Sequence, residues 1–186
     1  MKAKTIIVTA FIACGILLLN SCASIPKNAK PVENFDVHRY LGAWYEIARF
    51  DFRFEKDLDN TSAQYEFNKQ GNVIVLNSGY NFVKTKWSKA DGLAKFRGDK
   101  IVAALKVSFF GPFYSGYNVV ALDENYQYAL IAGKNLDYLW ILSRTKTIPE
   151  DIKTKYLKIA EEIGYDTSKL IWVKHDKTDS PYLNEN

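Results

Sequence analysis

The sequence predicts an all-β fold: an eight-stranded antiparallel up-and-down β-barrel, with a C-terminal α-helix packed outside and a short final strand. Three observations carry this expectation. Between Tyr40 and Arg144, short segments of alternating or mainly apolar residues recur, each bounded by turn-forming residues. Aromatic residues make up 15% of the chain, a composition suited to pleated, half-buried surfaces. The links between segments are too short for the dozen or more residues that a parallel crossover needs. Eight antiparallel strands can close on themselves around an interior wide enough for one small ligand, and closure removes the unpaired edges that would recruit other chains.

The strands are read in order. Gly42 to Phe50 opens the series. Thr61 to Phe67 alternates, with Ala63, Tyr65 and Phe67 on one face and Ser62, Gln64 and Glu66 on the other. The turn Asn68-Lys69-Gln70-Gly71-Asn72 leads into Val73 to Phe82. Lys86 to Phe96 is weaker, interrupted by Asp91-Gly92, and Arg97-Gly98-Asp99-Lys100 turns the chain into Ile101 to Phe109. Tyr114 to Asp123, Gln127 to Gly133 and Tyr138 to Arg144 complete the eight. A helix follows. Thr147-Ile148-Pro149-Glu150 has the form of a capping box with Thr147 at the cap, and Ile152, Tyr156, Ile159 and Ile163 share one face before a stop at Gly164. Leu170 to Val173 forms the last strand, and 175–186 reads as a polar tail without fixed structure.

The N-terminus reads as an export leader. Lys2 and Lys4 precede an apolar run from Thr5 to Leu19, about 15 residues, short of the roughly 20 that span a bilayer. Leu19-Asn20-Ser21-Cys22 resembles the lipobox of bacterial lipoproteins, in which the cysteine is acylated and becomes the first mature residue. The alternative is an ordinary leader cleaved nearby, which would leave an exposed thiol in an oxidising compartment. Cys14 lies inside the leader 1–21, so the mature chain keeps Cys22 alone and forms no internal disulfide. Removing the 21-residue leader from 186 residues leaves 165, the size of one domain. Its 25 basic residues, less the leader's two, against 21 acidic ones give a formal charge of +2, which argues against a nucleic-acid partner. Residues 22–34, with Pro26 and Pro31, read as a tether, and 35–174 as the folded domain. Alanine at position 23, by the sorting rule of enterobacterial lipoproteins, implies the outer membrane of a Gram-negative cell.

Three ordered motifs then resemble the lipocalin family, and its bacterial lipoprotein branch in particular. Gly42-Ala43-Trp44-Tyr45 matches the Gly-x-Trp-Tyr signature, Asp123-x-x-Tyr126 follows the sixth strand, and Arg144 ends the eighth. The run Phe109-Phe110-Gly111-Pro112-Phe113-Tyr114 resembles the bacterial branch. The resemblance spans about Phe35 to Val173. It implies that Arg144 packs across the Trp44 ring at a closed base, a cation–π pair that can contribute ~2 kcal/mol when desolvated. Gly42, Trp44, Asp123, Tyr126 and Arg144 are accordingly expected to be structural.

With Trp44 pointing inward, alternation places Glu46, Ala48 and Phe50 in the lumen, and Tyr45 and Ile47 outside. Parity from Arg144 adds Leu142, Trp140 and Tyr138. The second strand adds Ala63, Tyr65 and Phe67, and the fifth and sixth add Ala103, Leu105, Val107, Tyr117 and Val119. Such a lumen suits a fatty acid or lysophospholipid, with its acyl chain inside and its polar group near hydroxyls or at the rim. The open end would carry the loops after strands one, three, five and seven, including Asp51 to Asn60 and Phe110 to Tyr114. The latter, apolar for a loop, would meet the membrane, a second copy in a homodimer, or its own lumen.

Catalysis is not expected. His38 and His175 lack metal-ligand spacing, no nucleophile elbow or P-loop occurs, and Asp57 with Asp59, and Glu161 with Glu162, read as solvated charges. No cofactor or metal is expected. The favoured expectation is binding, storage or transport of an amphiphile in envelope maintenance. Two alternatives remain at this stage: an interaction lipoprotein with an empty lumen, and a carrier of a flat pigment such as haem.

Overall fold

The computed structural model describes residues 24–183; the leader 1–21 and Cys22 lie outside the described residues. A short helix α1 (Val37–Tyr40) precedes strands β1 (Gly42–Phe50), β2 (Leu58–Phe67), β3 (Val73–Asn81), β4 (Lys86–Phe96), β5 (Ala104–Phe110), β6 (Phe113–Leu122), β7 (Tyr128–Ala132) and β8 (Leu139–Ser143). Helix α2 (Glu150–Ile163) and strand β9 (Leu170–Trp172) follow. Every neighbouring pair is antiparallel, and β1 bonds to both β2 and β8, so the sheet closes into a barrel. β4 runs unbroken through Asp91-Gly92, paired along its length with β3.

Closure between β1 and β2 is incomplete. Only the lower half of β1, Gly42 to Tyr45, pairs with β2. Above it the two strands diverge, and the C-terminal segment fills the gap. β9 pairs with Ala48 to Phe50, Val173 donates to the Ile47 carbonyl at 3.0 Å, and Asn60 of β2 donates to the Lys174 carbonyl at 2.8 Å. The tail continues the seam. His175 meets the Glu46 carbonyl at 2.8 Å, the Asn60 side chain binds Asp176 and the Lys177 amide, and Lys146 pairs with Asp179 at 3.0 Å. The stretch expected to be an unstructured polar tail is therefore, through residue 183, a stitch in the barrel wall. Its polar composition concealed this because its partners are backbone and amide groups rather than apolar residues.

The expected tether is also corrected. Residues 24–31 lie along the outside of the barrel, and Val32 turns in against the inner cluster. The Ser24 carbonyl accepts from Asn118 at 2.9 Å, Ala29 is buried in the outer core, and Val32 bonds to Val119 and Ala103 before Phe35 reaches Ile101. The strap thus descends from the level of Lys134 and Gly116 to the base.

Two apolar clusters hold the fold. The inner one fills the lower barrel around Trp44, Phe35 and Tyr40. The outer one joins the wall to α2 through Tyr156, Ala160 and Ile163, with Ile152 and Ile159 half-buried beside them. Tyr156 also donates to the Tyr128 carbonyl at 2.8 Å. The capping box does not form: extended Pro149 occupies the N-cap, with no side-chain cap bond, and Thr147 lies before it. Its carbonyl instead accepts from Ser143 and Thr145. The helix stops at Gly164 as expected.

Candidate functional site

The base is closed by a polar clamp around one aromatic ring. Trp44 is fully buried and donates to the Tyr40 carbonyl at 2.8 Å. The Arg144 guanidinium lies 3.9 Å from the indole centroid and donates to the carbonyls of Ala43, Leu41, Arg39 and Tyr126. Gly42 adopts φ +90, a backbone region that side chains disfavour, and lies against Arg144. Asp123 accepts from the amides of Asn125, Gln127 and Tyr128, and the Tyr126 hydroxyl accepts from the Asp36 amide at 2.8 Å. These five residues tie α1, the β6–β7 turn and the end of β8 into a floor.

Above this floor is a cavity of about 820 Å³, within the size range of small-molecule sites, about 300–1,000 Å³. Glu46, Ala63, Tyr65, Leu105, Val107, Tyr117, Tyr138, Trp140 and Leu142 line it, and so do Val73, Val75, Ala94, Phe109 and Ile131. Phe67, Ala103 and Val119 do not. They belong to or pack against the inner cluster, and Phe67 stacks edge-on with His38 of α1.

Ala48 and Phe50 are corrections. The β1–β8 register slips between Glu46 and Ala48, a β-bulge that reverses the in–out parity beyond it. Ile47, Ala48 and Phe50 all join the outer core, where Phe50 meets Tyr165 edge-on at 5.6 Å. The inward position passes to Arg49, which simple alternation assigns to the outside.

Arg49 is buried behind the lumen wall and organises its polar spot. It donates to Glu46 Oε1 at 2.9 Å and to the carbonyls of Glu55 and Leu58, each at 2.9 Å. Thr61 donates to the same Glu46 oxygen, and Trp140 Nε1 donates to Glu55 Oε2 at 3.2 Å. Arg49 thus pins the β1–β2 loop, residues 51–57, over the mouth. Burial pushes both carboxyls up from their ordinary range, opposed by Arg49; in Glu55 the neighbouring Glu46 charge pushes the same way. The two carboxyls act on each other and both lie beside Arg49, whose Nη1 is 2.9 Å from Glu46 Oε1 and whose Nε is 3.7 Å from Glu55 Oε2.

At the floor of the cavity, the hydroxyls of Tyr40, Tyr117 and Tyr65 form a chain with links of 2.7 and 2.9 Å. Burial raises all three phenols above their ordinary range, so they stay neutral donors and acceptors. Phe52 meets Tyr138 and Trp140 edge-on at 5.7 and 5.6 Å, and Phe54 touches Phe110 across the mouth at 5.5 Å. Each loop of the rim exposes apolar side chains, with charged ones such as Arg53, Lys84 and Lys134 among them. Phe54, Phe82, Val83, Phe110, Phe113, Tyr114 and Leu136 are all exposed there, Phe113 at 80%. Neither histidine lines the cavity, and among the described residues no group of side chains could hold a metal ion.

A closed antiparallel barrel with this floor, this cavity and an external helix defines a lipocalin, and the chain belongs to that family: the family model described as a lipocalin-like domain matches residues 35–175. Among its relatives, outer membrane lipoprotein Blc of Citrobacter freundii is 52% identical over 168 residues, covering 90% of this chain and 95% of that one. Blc of Escherichia coli K12 is 49% identical with the same coverage. Temperature-induced lipocalin-1 of Arabidopsis thaliana is 37% identical, covering 83% and 86%. Among solved structures, insecticyanin of Manduca sexta superposes with a TM-score of 0.63 at 23% identity, covering 78% and 84%, a likeness of fold.

Proposed function

We propose that this protein binds and carries an amphiphile with one hydrocarbon tail, a fatty acid or lysophospholipid, at the outer membrane of a Gram-negative bacterium. Its anchor would be the acylated Cys22. The observation that carries this reading is the cavity: an apolar space with a polar spot at Glu46, Glu55 and Arg49 near its mouth and three tyrosine hydroxyls at its floor. Hydrocarbon fits the aliphatic and aromatic walls, while the polar group stays near the mouth, where water or donors satisfy it. The empty-lumen alternative loses support from a void of this size, since protein interiors otherwise pack densely. A haem carrier loses support from the absence of histidine among the lining residues.

The anchor rests on the Leu19-Asn20-Ser21-Cys22 motif and on relatives named as outer membrane lipoproteins. Two or three acyl chains at about 0.8 kcal/mol per buried CH₂ give stable attachment where one is marginal. The lumen offers no activated nucleophile, consistent with a binding role in a family of binding and transport proteins. Mass spectrometry of lipids extracted from membrane-purified protein tests the reading. Single-chain amphiphiles enriched in stoichiometric amount are expected; extracts matching the bulk membrane would overturn it.

A further inference from the structure

Among the described residues, three cations line the cavity: Arg53 of the β1–β2 loop, Lys89 of β4 and Lys134 of the β7–β8 loop. Lys89 is engaged on the outer wall, 3.8 Å from Asp91 and over the Tyr182 ring. Arg53 and Lys134 differ. Neither has a carboxylate within ion-pair distance among the described residues. Glu55 of the first loop is turned inward to Arg49 and Trp140, and Asp137 of the second accepts from the Asn135 side chain at 2.8 Å.

Both cations rest on aromatic rings at the mouth. The Arg53 guanidinium lies 4.4 Å from the Phe54 centroid, and the Lys134 ammonium 5.7 Å from that of Tyr138. Phe52 joins the two rings, edge-on to Phe54 at 6.4 Å and to Tyr138 at 5.7 Å. The two loops are neighbours because β1 and β8 are hydrogen-bonded. The result is one aromatic ledge with a positive charge at each end. A ring face attracts a cation without accepting its N–H groups in full hydrogen bonds, so both side chains keep donors to offer.

The wall below has no such offer for an anion. Arg49 lies behind it, its donors engaged by Glu46 and by the carbonyls of Glu55 and Leu58. The carboxyls of Glu46 and Glu55 supply more acceptors than donors, a poor match for a further oxyanion.

We infer that Arg53 and Lys134 set the head-group class of the ligand: they receive an oxyanion, carboxylate or phosphate, at the mouth, while the hydrocarbon tail of the same molecule runs below the ledge. This deepens the carrier reading proposed above and rests on it. The two cations are then specificity-determining residues, and an uncharged lipid with the same chain gains nothing from them.

The test follows displacement of an uncharged reporter, a nitroxide-labelled stearic acid methyl ester, from the mature protein by recovery of tryptophan emission. Three competitors share an oleoyl chain: oleate, 1-oleoyl-lysophosphatidylglycerol and 1-mono-oleoylglycerol, at about pH 8, where a carboxylic acid is ionised. The variant is Arg53→Gln with Lys134→Gln, both positions exposed. Its affinity for the two anions is expected to fall about tenfold, a few-fold for each exposed charge, with mono-oleoylglycerol unchanged. High salt should weaken the anions on the parent and leave the variant indifferent. Loss confined to oleate, or to lysophosphatidylglycerol, would support the site and assign its oxyanion to a carboxylate or a phosphate. Unchanged affinity for all three would overturn the inference. So would an equal fall for all three, since the pair would then act through the shape of the loops. Those failures leave the carrier reading standing, whereas a parent protein that binds neither reporter nor competitor would overturn both.

Discussion

The guanidinium of Arg144 lies 3.9 Å from the indole ring of Trp44 and donates to four carbonyls from three segments of the base. Replacing it by alanine removes the cation–π contact and leaves those carbonyls to find water. Arg144→Ala is expected to cost about 3–5 kcal/mol, from ~2 kcal/mol for the ring contact and about 1.5–3 for charged hydrogen bonds. Arg144→Lys should recover only a minor part, because an ammonium cannot fan out to four acceptors. Urea unfolding checks this as a lowered midpoint at unchanged slope.

The carboxyls of Glu46 and Glu55 are both raised by burial. A carboxyl whose folded pKa exceeds its unfolded value binds more protons in the native state. Stability therefore falls as pH rises from about 4.5, the ordinary value, through the raised one. The urea midpoint of the parent protein is expected to decline from pH 4.5 toward neutrality. Glu55→Gln, which keeps an acceptor for Trp140 and cannot ionise, should flatten that decline. A parent-minus-variant difference rising over the same window would contradict the buried pair, since His175, whose lowered pKa acts in the opposite sense, is common to both.

Asn60 is buried between the tail and β2, and its amide, side-chain nitrogen and side-chain oxygen are all used by residues 174–177. Truncation after Val173 strands these groups, at about 1–3 kcal/mol for each one left unsatisfied. Faster amide exchange confined to β1 above Glu46 and β2 above Ser62 is expected, with the lower halves protected. Uniform exchange would show that the tail only decorates the barrel.

Val107 faces the cavity and is half-buried. Val107→Trp occupies free space rather than packed neighbours, so the overpacking cost of about 1–3 kcal/mol should be largely avoided. Fatty-acid affinity is expected to fall tenfold or more, with the unfolding midpoint nearly unchanged, as paired titrations would show.

Most of the barrel was legible because strands write themselves as alternation and turns as glycine, asparagine and aspartate. The floor was legible because Gly42, Trp44 and Arg144 carry a family pattern. On β1 the lumen was legible up to Glu46 and misread beyond it. One inserted residue at Ile47 turns Ala48 and Phe50 outward and Arg49 inward, and a bulge leaves no mark in a run where each face carries one charged residue among apolar ones. Glu55 and Phe52 were missed as site residues for another reason: they sit in a loop, where no periodicity assigns a direction. The strap and tail were misread because proline and polar residues suggest solvent, while their seats are made of backbone carbonyls and a glycine gap.

The central claim is that the lumen admits a hydrocarbon tail. Titrating the mature protein with a spin-labelled fatty acid while following tryptophan emission tests it most directly, because Trp140 lines the cavity whereas Trp44 is sealed in the floor. Saturable quenching at one ligand per barrel, reversed by unlabelled palmitate and largely lost in Trp140→Phe, is the predicted result. Quenching that never saturates, or that persists undiminished in Trp140→Phe, would contradict it.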